Sequence, residues 1–152
     1  MLEEITNRLY TRAKWLGLAS ELRLTFGLRA KESLLSHEIR DGCLIINGTK
    51  GGRPRNVPIE TDFQRSLVSR VQDYIRQKNQ SSLIPNGKTL KQAMKAQSNA
   101  LQRVGAKKEN ATHAHAMRHR FAQEMARSGA SKSEISETLG HGREEIVAHY
   151  VK

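Results

Sequence analysis

Residues 37–59, HEIRDGCLIINGTKGGRPRNVPI, carry the one strand signal in the chain, and their reading decides the fold class. His37–Arg40 and Cys43–Thr49 flank Asp41-Gly42, the two-residue turn that best suits the twist of a hairpin. Gly51-Gly52 supplies the next turn, and Arg53–Ile59 returns. This pattern predicts Ile46 opposite Val57 and Leu44 opposite Ile59. Asn47-Gly48 is a competing turn signal that leaves the register open. Pro54 and Pro58 cannot donate to a ladder, so the third run is an edge. The result is a small antiparallel sheet of three strands.

Outward from the sheet the patterning is helical. Residues 2–16 place Leu2, Ile5, Leu9 and Ala13 on one face. Ser20 reads as an N-cap for a short helix through Thr25, Gly27 punctuates, and Lys31–Ser36 reads as another short helix. Thr61 with Gln64, Thr89 with Gln92 and Ser131 with Glu134 have capping-box spacing. The first box precedes the stripe Phe63, Leu67, Val68, Val71 and Ile75, and the second opens a helix to about Val104. Residues 81–88 form a loop. Thr112 caps a helix carrying Met117, Phe121 and Met125 that Gly129 stops. The third box opens a helix ending at Leu139-Gly140, and a last helix covers about Glu144–Val151. The fold class is α+β, mostly α, with one small sheet.

The chain has 152 residues, enough for one domain with its own core. Its single cysteine, Cys43, excludes an internal disulfide framework and a multi-cysteine zinc site. Lys and Arg number 26 against 15 Asp and Glu, a formal net charge of +11. A polyanionic partner is therefore expected, nucleic acid before acidic membrane. Residues 63–108 hold ten basic residues and one acid, Asp73, so that stretch supplies +9 of the total. No apolar run reaches the ~18 residues of a membrane span. With no signal-peptide layout at MLEEITNRLY, a soluble, cytoplasmic, DNA-associated protein with no membrane partner is expected.

Taken singly, each polar residue of interest has a plain reading. Arg29 is a surface residue between helices, and Lys50 is a solvated turn lysine. His141 complements a helix C-terminus, and Tyr150 is packed beside Ile146 and Val147. Tyr10 and Tyr74 read as packed tyrosines as well. His115 and His119 have the i, i+4 spacing of metal ligands, but no cysteine and only scattered carboxylates are available to complete a shell, so no metal is expected. There is no phosphate-binding GxxxxGK[ST] loop and no GxSxG elbow.

Four segments change that reading when taken in order. GLRAKE (27–32), TKGGRPRNVPI (49–59), HAMRHRFAQEMARSG (115–129) and LGHGREEIVAHY (139–150) together resemble the catalytic domain of the tyrosine recombinases, the phage-integrase family. The resemblance runs from about residue 17 to 152. It implies that residues 1–152 form one catalytic domain without the family's N-terminal core-binding domain. It also implies site-specific DNA cleavage and rejoining through a covalent 3′-phosphotyrosine, as in an integrase of a phage or mobile element, with no metal, ATP or other cofactor. Arg29, Lys50, His115, Arg118, His141 and Tyr150 are the implied catalytic residues. Glu32 is implied as structural support for the arginine box.

The residue chemistry fits that implication. Displacement at a phosphodiester needs charge neutralisation, a nucleophile and a proton for the leaving oxygen. Arg29 and Arg118 offer planar donor forks to non-bridging oxygens, and His141 adds a donor. By the family pattern Tyr150 is the implied nucleophile, His115 the candidate acid/base at that step, and Lys50 the candidate general acid for the 5′-hydroxyl. Arg53, Arg55, Lys91 and Lys95 are the candidate contacts to double-stranded DNA, positioning the duplex without reading sequence. A monomer in isolation and a tetramer on DNA for the intact protein are implied. A non-catalytic DNA-binding protein that retains the fold is the alternative. A type IB topoisomerase, a basic RNA-binding or ribosomal protein and a metal-dependent hydrolase are more distant readings.

Overall fold

The computed structural model describes residues 2–47, 54–105 and 116–140. At its centre is α2 (Lys14–Phe26), apolar on almost every side, with Trp15, Leu16, Leu18, Ala19, Leu22 and Phe26 buried. A helix of that composition must be covered all round. α1 (Leu2–Arg12), α4 (Asp62–Gln77) and α6 (Ala116–Arg127) pack against it, and α3 (Ala30–Leu34) follows it directly. α5 (Leu90–Arg103) packs on α1 and α3, and α7 (Lys132–Leu139) on α6.

The expected single helix over residues 2–16 is two helices. Ala13 is extended, with φ −166° and ψ 137°, so the chain turns between α1 and α2. The turn lets the α1 face of Leu2, Ile5 and Leu9 fold onto α2, which a straight helix could not do. Gly17 permits the close return. A Cβ there would lie 2.2 Å from Cγ of Tyr10, whose half-buried ring covers it and whose hydroxyl donates to Glu21 at 2.8 Å. Ser20 is not an N-cap. It lies inside α2, buried, with its hydroxyl 2.6 Å from that of Thr6. A small hydroxyl satisfied by a partner on the next helix belongs in a core as readily as at a helix start.

All three capping boxes form, at Thr61/Gln64, Thr89/Gln92 and Ser131/Glu134. In α4 the buried stripe is Leu67, Val68, Val71 and Tyr74, while Phe63 in the first turn is 55% exposed. Thr112 and residues 144–151 lie outside the described residues.

The sheet has three antiparallel strands in the order β1 (Glu38–Arg40), β2 (Cys43–Ile46), β3 (Arg55–Pro58), with β3 at an edge. Arg40 pairs with Cys43 across Asp41-Gly42 as expected. The second pairing is shifted by two residues, since Leu44 faces Val57 and Ile46 faces Arg55. A two-residue slip keeps every side chain on its face, so burial pattern alone does not fix this register. The residue that distinguishes the two registers is Arg55, which the observed pairing brings inward beside Ile46 and toward α3 and α7.

Candidate active site

The site begins with the end of α2. Gly27 stops the helix in the left-handed conformation (φ +71°), and its N–H bonds the carbonyl of Arg23. Only glycine fits, because a Cβ would meet Phe121 at 2.5 Å and Leu139 at 2.9 Å. Two residues on, Arg29 is the N-cap of α3, and its backbone N–H donates to Oε1 of Glu32 at 2.9 Å.

Arg118 enters from the first turns of α6 and is buried. Its Nε donates to the carbonyl of Gly27 at 3.0 Å and its Nη2 to that of Leu139 at 2.5 Å. The same Leu139 carbonyl accepts from Nη1 of Arg29 at 3.2 Å. Two guanidinium groups from distant stretches therefore meet at one oxygen. That oxygen belongs to the C-terminal end of α7, the negative end of the helix dipole, where cations are favoured. Gly140 caps α7 with φ +78°.

Glu32, almost fully buried, is the carboxylate of this cluster among the described residues. Its main partner is Arg55, which donates Nη1 to Oε2 and Nη2 to Oε1, both at 2.8 Å. Nη1 of Arg29 lies 3.8 Å from Oε2. Burial pushes the Glu32 carboxyl up. The Arg55 hydrogen bonds, the Arg29 N–H and the two positive charges outweigh that and hold it below the usual carboxylate range. His37, at the start of the sheet, brings Nε2 within 2.6 Å of the Glu32 carbonyl, and burial lowers its pKa. A carbonyl only accepts, so Nε2 carries the proton of the neutral ring. Among the described residues, one carboxylate against Arg29, Arg55 and Arg118 leaves the cluster net positive.

Arg55 is a correction to the sequence reading. Expected as a phosphate contact, it lies in the interior with its side chain 3% exposed, and its Nε also donates to the carbonyl of Thr138 at 2.7 Å. The signal was present in the two-residue period. Arg55 shares a face with Val57, and an inward-pointing arginine needs buried acceptors, a carboxylate or carbonyls. The sequence offers Glu32 for that role, but only the fold brings the two together.

Lys50, Arg53, His115, His141 and Tyr150 lie outside the described residues. His141 follows the Gly140 cap directly, and His115 directly precedes α6.

A model of the phage integrase family matches residues 2–152. The chain belongs to the phage integrase family. Solved structures of tyrosine recombinases share its fold. The XerA recombinase superposes with a TM-score of 0.72 at 15% identity, over 99% of this chain and 57% of that one. A lambda integrase dimer bound to a COC′ core site gives 0.76 at 16% identity, over 99% and 46%. The catalytic domain of bacteriophage HP1 integrase gives 0.70 at 22% identity, over 99% and 84%. The chain thus spans about half the length of the XerA recombinase and lambda integrase chains. No curated protein matches it in sequence.

In this integrase-family chain Lys91 and Lys95 both stand exposed on α5, one turn apart. His119 is 2.9 Å from Nε2 of Gln123 on the same helix. Among the described residues no three His, Cys, Asp or Glu side chains are grouped to hold a metal ion, and no helix is long and apolar enough to cross a membrane.

Proposed function

We propose that the chain is the catalytic domain of a site-specific DNA strand transferase, acting in a phage or other mobile element. Arg29 and Arg118 neutralise the scissile phosphate, with His141 as a further donor. Tyr150 attacks phosphorus, forming the phosphotyrosine bond as the 5′ oxygen leaves. Its phenolic proton passes to His115, and Lys50 protonates the leaving oxygen. A second 5′-hydroxyl reverses the step, so no external energy source enters. Arg53, Lys91 and Lys95 contact the phosphates of duplex DNA, and the intact protein works as a tetramer on two sites.

The observation that carries this reading is the convergence of Arg29 and Arg118 on the Leu139 carbonyl. Paired guanidinium forks in a net positive, partly dry site perform the charge neutralisation that a divalent ion supplies elsewhere. Family membership supports the chemistry, and the residues of all four segments are present.

The test is covalent trapping on a nicked suicide duplex in EDTA. The expected result is a protein–DNA adduct from the unaltered chain and none from Tyr150→Phe, with Tyr10→Phe behaving as unaltered. An adduct that survives Tyr150→Phe overturns the nucleophile. DNA binding with no adduct from the unaltered sequence, in this chain or in a longer one containing it, favours the non-catalytic alternative.

A further inference from the structure

We propose that Arg55 is a positioning residue that holds Arg29 and Arg118 at their meeting point, and that it makes no contact with DNA. The inference rests on the strand-transfer reading above. Arg55 bonds both α3, through the Glu32 carboxylate, and α7, through the Thr138 carbonyl, beside the bond that Arg29 makes to Leu139. Its parallel 2.8 Å bonds fix the plane of the Glu32 carboxylate, and its 2.7 Å bond from Nε fixes the Thr138 carbonyl. Glu32 in turn accepts the Arg29 N–H at 2.9 Å. The carbonyl next to that of Thr138 is Leu139, where the two guanidinium groups converge. The bonds thus close a ring from Arg55 through Glu32, Arg29 and Leu139 to Thr138 and back, with Arg118 tied in through Leu139 and Gly27.

The physical consequence is directional. Without Arg55, the C-terminal end of α7 loses its tie through Glu32 to α3 and depends on the 3.2 Å bond from Arg29 to Leu139. Glu32 stays buried, and its nearest remaining guanidinium is that of Arg29, at 3.8 Å. A buried carboxylate that loses its paired cation draws the next one. Arg29 then swings toward Glu32 and away from the carbonyl it shares with Arg118. Arg55 therefore governs the charge that faces phosphorus without touching the substrate.

The test compares single-turnover adduct formation on two suicide duplexes, one with the ordinary phosphodiester and one with a methylphosphonate at the scissile position. The methylphosphonate is uncharged, so it asks less of the arginine pair. Arg55→Gln is expected to slow cleavage of the phosphodiester about 100-fold. The deficit against the unaltered chain should narrow about tenfold on the methylphosphonate. The salt dependence of DNA binding should not change, and Arg55→Lys, which keeps the charge and loses the fork, should fall between. Equal deficits on both substrates mean that the residue only supports folding, and they overturn the proposal. So does a salt slope reduced by about one with normal cleavage, the signature of a lost phosphate contact.

A second measurement needs no reaction. Hydrogen exchange at Nε of Arg118, bonded to Gly27, should accelerate in folded Arg55→Gln while α5 amides keep their protection. Unchanged exchange there sinks the proposal whether or not the chain cleaves DNA. Absence of any adduct from the unaltered chain, with exchange at Arg118 accelerated as expected, counts instead against the strand-transfer reading. If Arg55→Gln does not fold, Arg55→Lys, which keeps a cation beside Glu32 but loses the fork, carries the same tests with smaller expected changes.

Discussion

Arg118 directs two donors at backbone carbonyls, one closing α2 and one closing α7, so its side chain fixes helix ends as well as a charge. Lysine cannot reproduce that fork. Arg118→Lys should lower the rate of adduct formation by about 10²–10³-fold. Arg118→Ala should in addition cost about 1–3 kcal/mol of stability, because the Gly27 carbonyl loses its guanidinium donor and the Leu139 carbonyl keeps only that of Arg29. Single-turnover trapping and denaturant unfolding measure the two effects separately. Glu32 and His37 give the cluster a pH dependence of known sign. The Glu32 pKa is held below the ordinary carboxylate value, so its contribution is complete above that value and is lost as pH falls through the folded one. The His37 pKa is lowered from 6.5, so the neutral ring contributes above that value and the contribution fades as pH falls below it. Stability measured by urea unfolding should therefore decline in two stages on acidification. Glu32→Gln should flatten the lower stage, and His37→Gln the upper.

At the level of elements, the ends of helices do most of the placing. Gly27 ends α2 where Arg29 must begin α3, and its carbonyl receives Arg118. Gly27→Ala combines a left-handed backbone with a Cβ driven against Phe121 and Leu139. Strain of that kind costs about 1–3 kcal/mol. In a chain of this size each kcal/mol lowers the melting temperature by about 2–4 °C. Calorimetry on Gly27→Ala should show that fall, whereas Gly87→Ala tests positive φ alone, since a Cβ there meets nothing within 4 Å. The N-terminus of α7 matters for the same reason as its C-terminus. Ser131 accepts from the Glu134 N–H and Glu134 bonds back to Ser131, both at 3.0 Å. Ser131→Ala should cost about 0.5–2 kcal/mol and, by fraying the helix that carries Leu139, should lower the cleavage rate more than an equal loss at Thr89 on α5.

Among the described residues, acidic and basic side chains gather in different places. A groove of about 870 Å³ beside β3, α6 and α7 is lined by Glu60, Glu124, Glu134 and Glu137, of which Glu124 is paired with Arg127. The exposed lysines of α5 lie outside it. Lys91→Ala and Lys95→Ala should each reduce the slope of log K against log salt by about one, and the same change in Lys88, outside the proposed contacts, should not. A filter-binding titration over salt concentration reads both. The division of labour between local and long-range information follows the same lines. The three capping boxes, the Asp41-Gly42 hairpin, the edge position of β3 and the basic stretch over residues 63–108 were legible because each depends on residues a few positions apart. The arginines of the site were legible as motif residues, by resemblance. The break at Ala13, the interior place of Ser20 and the sheet register were not, because each is decided by what packs against it from elsewhere in the chain.

The sequence by itself determined most of the elements, the excess of positive charge and the residue types of the candidate site. Propensity, capping and side-chain period act within a turn or two of the chain. Only the tertiary structure decided that Arg55 faces inward to Glu32 and not outward to DNA, and that Arg29 and Arg118 share the carbonyl of Leu139. Those partners are separated by 23, 110 and 21 positions. A buried guanidinium is satisfied by whichever carboxylate or carbonyl the packing brings within reach, and no local pattern encodes that choice.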